Sequence, residues 1–155
     1  MEIRKPKIEE AEEVSNLLIN TIKNVNSKDH NLEQIESWLP SNSVERLKQK
    51  FTDNKRSIFV LVDKKEIMAY LCMFLESKLI TSLYVKHTEI GKGYGKKLLQ
   101  FAEDFAKQNN LDELKLDSST TAFNFYKSQA YIAIKESNHD LNGVKIPIIE
   151  MYKKL

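Results

Sequence analysis

Three glycines stand within five residues, Gly91, Gly93 and Gly95, with Lys92, Lys96 and Lys97 beside them. Where such a run opens a helix, its chemistry is anion binding. The first amides of a helix lack intrahelical acceptors and point outward at the positive end of its dipole. Glycine has no Cβ, so a phosphate can approach the backbone closely. A turn that only redirects the chain needs one glycine rather than three. Two other phosphate loops are excluded by spacing. GxGxxG would need glycine where Lys96 stands, and no window supplies GxxxxGK[ST].

Such a loop needs a strand before it and a helix after it, and both are legible. Leu79 to Val85 (LITSLYV) reads as a strand. Beyond the glycines, Leu98, Phe101, Ala102, Phe105 and Ala106 form one helical stripe. Upstream, Glu2 to Arg4 predicts a short strand, and Ile8, Ala11, Val14, Leu18 and Ile22 predict a helix over about 8–24. The polar segment from Asn24 to Pro40, with Trp38, reads as a loop and a second helix. Ser43 is placed to cap a further helical stretch, Val44 to Phe51. Ser57 to Val62 and Ile67 to Leu75 read as strands, the latter apolar on both faces and therefore central. Leu114 to Leu116 predicts a short strand and Thr120 to Ser128 a helix. Tyr131 to Lys135 and Lys145 to Tyr152 predict a closing hairpin. The expected class is an α/β (α+β) fold with a mixed, mostly antiparallel sheet of six to seven strands and about four flanking helices.

Composition bounds the partners. The 155 residues suit a single domain, 1–155. With 41% hydrophobic and 30% charged residues, the chain is neither disordered nor a disulfide scaffold. A net charge of +2 is too small to argue for nucleic acid or an anionic membrane. The lone Cys72 cannot form an internal disulfide, so a reducing, cytoplasmic setting is expected. Between Tyr70 and Phe74 on a strand, Cys72 reads as a small buried hydrophobe. His30, His87 and His139 lie far apart, so no metal-ligand spacing exists. The first residues carry no apolar stretch of the kind a secretory leader has, so none is expected. The longest apolar run, Ile67 to Leu75, falls far short of the ~20 residues that span a bilayer.

The run Leu83-Tyr84-Val85, then Ile90-Gly91-Lys92-Gly93-Tyr94-Gly95-Lys96, resembles the GNAT superfamily of acyl-CoA-dependent N-acetyltransferases. The cofactor loop of that family reads Q/R-x-x-G-x-G/A. Gly93 and Gly95 match its last two positions, Gly91 fits the extended form, and Ile90 departs from the usual Gln or Arg. A second block is similar to the family's N-x-x-A-x-x-[LF]-Y-x-x-x-G-F. Ala122, Phe125 and Tyr126 match, while Ser119, Ala130 and Tyr131 replace Asn, Gly and Phe.

The resemblance implies acetyl-CoA as the acetyl donor. The pantetheine arm would pair with the backbone edge Leu83-Tyr84-Val85, beside a bulged fourth strand. The pyrophosphate would sit on the loop from Ile90 through Gly91, Lys92, Gly93, Tyr94 and Gly95 to Lys96, with Ser119 or Asn124 toward the pantetheine or adenosine end. Tyr126 matches the family's tyrosine acid, and a backbone N–H near Val85 would polarise the thioester. The acceptor implied is a primary amine of a small molecule or peptide, attacking directly. The base stays open among Asp117, Glu76, Asp29, His30, Glu33 and a water relay, because Thr81 and Ser82 occupy the usual stretch. A CoA-binding sensor or partner module that transfers nothing is the alternative. Dimers are common in families of this kind, so a homodimer is an open expectation.

Overall fold

Continuous apolar runs build the middle of a seven-stranded sheet in the computed structural model, which describes residues 1–155. The strands are β1 (Glu2–Arg4), β2 (Ser57–Asp63), β3 (Glu66–Phe74), β4 (Leu79–Val85), β5 (Glu113–Ser119), β6 (Ile132–Leu141) and β7 (Val144–Lys154). Their spatial order is β1-β2-β3-β4-β5-β7-β6. Only β4 and β5 run parallel. β3 is buried along nearly its whole length, as expected of a central strand covered on both faces.

The helices are α1 (Ala11–Asn24), α2 (Leu32–Trp38), α3 (Val44–Thr52), α4 (Tyr94–Gln108) and α5 (Phe123–Ser128). On one face of the sheet Leu98, Leu99, Ala102 and Ala106 of α4 pack with Leu71, Met73, Leu114 and Leu116. On the other face Ala11, Val14 and Leu18 of α1 and Leu47 of α3 pack with Ile58, Val60, Tyr70 and Cys72. Cys72 is therefore a core residue, as its strand spacing indicates.

The departures from the sequence reading have local causes. There are five α-helices rather than about four, three of them between β1 and β2. Residues 8–10 form a 3₁₀ turn ahead of α1, because the Glu10 carboxylate takes the Lys7 N–H at 2.8 Å and the Arg4 guanidinium at 2.7 Å. β5 runs on through Asp117, Ser118 and Ser119, since β7 supplies backbone partners at Glu150, Ile149 and Ile148. The closing hairpin is also longer than its apolar segments. Asn142 (φ 54°) and Gly143 (φ 84°) make a two-residue turn with both φ positive, so most of the stretch between the two apolar segments is strand.

Helix α5 is shorter than expected and ends in a Schellman motif. The Tyr131 N–H reaches the Tyr126 carbonyl and the Ala130 N–H reaches Lys127. Ala130 sits at φ 69°, where a Cβ is strained. Ala130→Gly is expected to raise stability by about 1 kcal/mol, most of the left-handed penalty less the glycine's extra unfolded-state entropy. A shift of the denaturant midpoint to higher concentration at constant slope is the readout.

Candidate active site

β4 and β5 pair only at Leu79–Lys115 and Ile80–Leu116 and then separate. The cause lies in the register of β4 on β3. Cys72 faces Ser82 while Met73 faces Ile80, so Thr81 is an extra residue bulged out of the ladder. Its hydroxyl donates to the Cys72 carbonyl at 3.1 Å. Past the bulge β4 keeps its partner β3 and loses β5, which leaves a wedge open through the sheet. A cavity of about 580 Å³ occupies this wedge, and Leu83, Tyr84 and Val85 line it.

Strand alternation decides which backbone groups face the wedge. The Lys86 N–H bonds back to the Met68 carbonyl, so Leu83 and Val85 turn their N–H and C=O groups away from β3. The Val85 carbonyl is taken by the hydroxyl of buried Thr21 at 2.9 Å. The N–H groups of this edge are left for a ligand, an extended one that adds as a strand.

The glycine loop closes one end. Gly91 (φ 88°) and Gly93 (φ 90°) occupy the left-handed region and have nothing within 4 Å of a Cβ position. Gly95 serves close approach instead: a Cβ there would lie 3.3 Å from Val85 and 3.5 Å from Phe125. The first α4 backbone bond is Lys97 N–H to the Gly93 carbonyl. The amides of Tyr94, Gly95 and Lys96 therefore start the helix without intrahelical acceptors and form an anion cradle. The Tyr94 hydroxyl donates to Asp63 at 2.7 Å, which anchors the first turn to β2. Ile90, Gly91, Gly93, Tyr94, Gly95 and Lys96 all line the cavity. Lys92 does not; it pairs with Glu89 at 2.8 Å.

Tyr126 of α5 projects to the cavity from the α4 face of the sheet and is 6% exposed. Burial pushes its phenol above the ordinary tyrosine range, and nearby Tyr84 adds to the push. Tyr84 is likewise raised by burial, with the Trp38 indole only partly opposing. Phenols held this way keep their protons at any ordinary pH. Ser119 lines the wedge, with its hydroxyl accepting the Ala122 N–H at 3.2 Å. Asn124 is exposed and lies outside the lining.

The other end of the cavity opens under α2 and α3. Of the carboxylates considered as a base, only Asp117 lines it, and His139 Nε2 lies 2.9 Å from the Asp117 carboxylate. Glu76 and Glu33 are exposed and outside the lining. Asp29 accepts the Thr121 hydroxyl at 2.8 Å and so ties the segment after α1 to the turn before α5. His30 is buried behind Trp38, ring centroids 5.2 Å apart, with Nδ1 2.8 Å from the Asn26 carbonyl. Sequence reasoning missed His139, Lys50 and Thr21 in the lining. The Asn142-Gly143 turn was the available signal for His139. It sets the β6–β7 register and places His139 opposite Ile146, which also lines the cavity. No group of His, Cys, Asp and Glu is placed to hold a metal ion, and no helix is long and apolar enough to cross a membrane.

Residues 26–155 match the family model of the acetyltransferase (GNAT) domain. No curated protein sequence matches the chain. Among solved structures, the chain is similar to a GCN5-related N-acetyltransferase from Rhodopseudomonas palustris, with TM-score 0.92, 19% identity, and coverage of 99% of this chain and 95% of that one. It is similar to the PaiA N-acetyltransferase from Thermoplasma acidophilum in complex with coenzyme A, with TM-score 0.82, 22% identity, and coverage of 99% and 98%. An aminoglycoside 6'-N-acetyltransferase complexed with coenzyme A gives TM-score 0.73 at 15% identity over 99% and 97% of the two chains. At these identities the likeness is one of fold.

Proposed function

The chain belongs to the GNAT acetyltransferase family, and from that premise we propose that it transfers an acetyl group from acetyl-CoA to a primary amine by direct attack. The observation that carries the reading is the wedge between β4 and β5, with an unpaired backbone edge on one side and a helix-start anion cradle at its end. The residues present fit coenzyme A. Leu83 and Val85 offer strand-like pairing to pantetheine. Gly91, Gly93, Tyr94, Gly95 and Lys96 offer amides and one ammonium to a pyrophosphate, with Ile90 as an apolar border. Ser119, in the lining, would serve the pantetheine, while Lys92 and Asn124 stand outside the lining.

Acetyl-CoA supplies the acetyl group as a thioester. The Val85 N–H, turned into the wedge, would polarise the thioester carbonyl toward the amine. Tyr126, whose proton is held by burial, would donate a hydrogen bond to the departing sulfur. The amine proton leaves toward the Asp117–His139 pair, directly or through one water. With Nε2–H donated to the carboxylate, His139 presents an Nδ1 lone pair.

The test combines acetyl-CoA with a set of primary amines and follows CoA thiol release and the mass of the product. The expected result is an acetylated amine formed in step with thiol release. Asp117→Asn is expected to lower kcat/KM by about 10²-fold at neutral pH, within the usual range for a lost base, with a smaller loss at high pH where the amine deprotonates unaided. A loss that does not vary with pH would remove Asp117 from the proton path. Acetyl-CoA binding with no transfer to any amine would favour a CoA-binding module instead.

A further inference from the structure

The acceptor end of the cavity is electrostatically two-sided. Asp117 enters it from β5, on one side of β4. Lys50 enters it from α3, which covers the β2–β3 side. Trp38, Tyr84 and Thr81 line the same cavity. Lys50 is half-buried, and its ammonium donates to the Ser41 carbonyl at 2.8 Å. An ammonium has three N–H donors, so two remain.

No carboxylate answers this charge. Arg56 and Arg46, both cations, act on Lys50, with only the Cys72 thiol opposing them. The acid three residues on, Asp53, is engaged by the Arg56 guanidinium at 3.1 Å, and that guanidinium lies over the Phe74 ring at 4.7 Å. Burial first, and then the two arginines, hold the Lys50 ammonium below the usual lysine range. A partly desolvated cation among cations is unfavourable until an anion joins it. A structural lysine at the end of α3 could have reached solvent along its flexible stem; this one turns into the cavity wall.

We propose that the acceptor carries a carboxylate as well as its amine, and that Lys50 holds the carboxylate on the α3 side of the cavity while Asp117 faces the amine. The inference rests on the acetyltransferase reading and narrows it to amino carboxylates: free amino acids, ω-amino acids or an acidic peptide terminus. Diamines and polyamines fit poorly, because their second ammonium would meet Lys50.

Matched acceptors test this in the intact protein. L-phenylalanine is compared with phenethylamine and L-phenylalaninamide, and 6-aminohexanoate with hexylamine and cadaverine. The carboxylate member of at least one set is expected to have the higher kcat/KM by about tenfold, the scale of one charge-assisted contact. In Lys50→Met that ratio falls to about one, mainly through KM, and Lys50→Arg retains part of it. Where no acceptor turns over, titration of the protein–CoA complex with the same compounds reads the same contrast in affinity. Equal preference within both sets, or a Lys50→Met variant that keeps the wild-type ratio, overturns the assignment. Absence of acetyl-CoA binding would sink the transferase reading beneath it; intact acetyl-CoA binding without carboxylate preference sinks the Lys50 proposal alone.

Discussion

Tyr126→Phe is expected to lower kcat by about 10²–10³-fold with little change in the KM for acetyl-CoA, the pattern of a group that acts only as the bond breaks. Several observations support so large an effect. Tyr126 is buried, it lines the wedge where β4 leaves β5, and its pKa is raised, so its proton is in place. The substitution removes one hydroxyl and keeps the ring, which packs edge-on against Phe125 at 5.2 Å and Tyr131 at 5.9 Å. Folding is therefore retained, and an unchanged thermal midpoint serves as the control. A variant with full kcat would leave the leaving sulfur to solvent and return Tyr126 to the role of a core aromatic.

The second large effect belongs to the glycine loop. Gly93→Asp is expected to weaken acetyl-CoA binding by at least about a hundredfold, since like charges at close quarters cost several kcal/mol. Gly93 caps α4 at φ 90°, and a Cβ there meets nothing within 4 Å. The new side chain would thus point into open space beside the amides of Tyr94 to Lys96, where a pyrophosphate is placed. Steric damage to the fold is absent and the backbone strain is local. Calorimetry against wild type reads the loss, and equal affinity would move the pyrophosphate off this loop.

Short apolar runs with clear borders were legible in the sequence. β4 has the expected bounds, Leu79–Val85, and α3 starts where Ser43 was expected to cap it, with the Ser43 hydroxyl accepting the Arg46 N–H at 3.3 Å. The glycines were legible because their backbone geometry is a property of the residue itself. Polar strands were not. Asp117, Ser118 and Ser119 extend β5, and Glu136 to Leu141 extend β6, only because β7 lies between them. That pairing depends on contacts distant in sequence, which local periodicity does not register.

The same limit applied to the acceptor end. His139 meets Asp117 across 22 residues, and Lys50 reaches a cavity whose other walls include β4, β5 and the glycine loop. Each is an ordinary surface residue type, and only the topology gathers them. Ala130 is the converse case. The family pattern expects glycine there, and φ 69° supplies the reason.

The most direct test of the account is a backbone-amide NMR titration of the protein with acetyl-CoA. The account predicts saturable shifts concentrated at Leu83, Val85 and the loop from Gly91 to Lys96, with small changes along β1 and β2. Shifts centred elsewhere, or none at millimolar acetyl-CoA, would contradict the placement of the donor in the β4–β5 wedge.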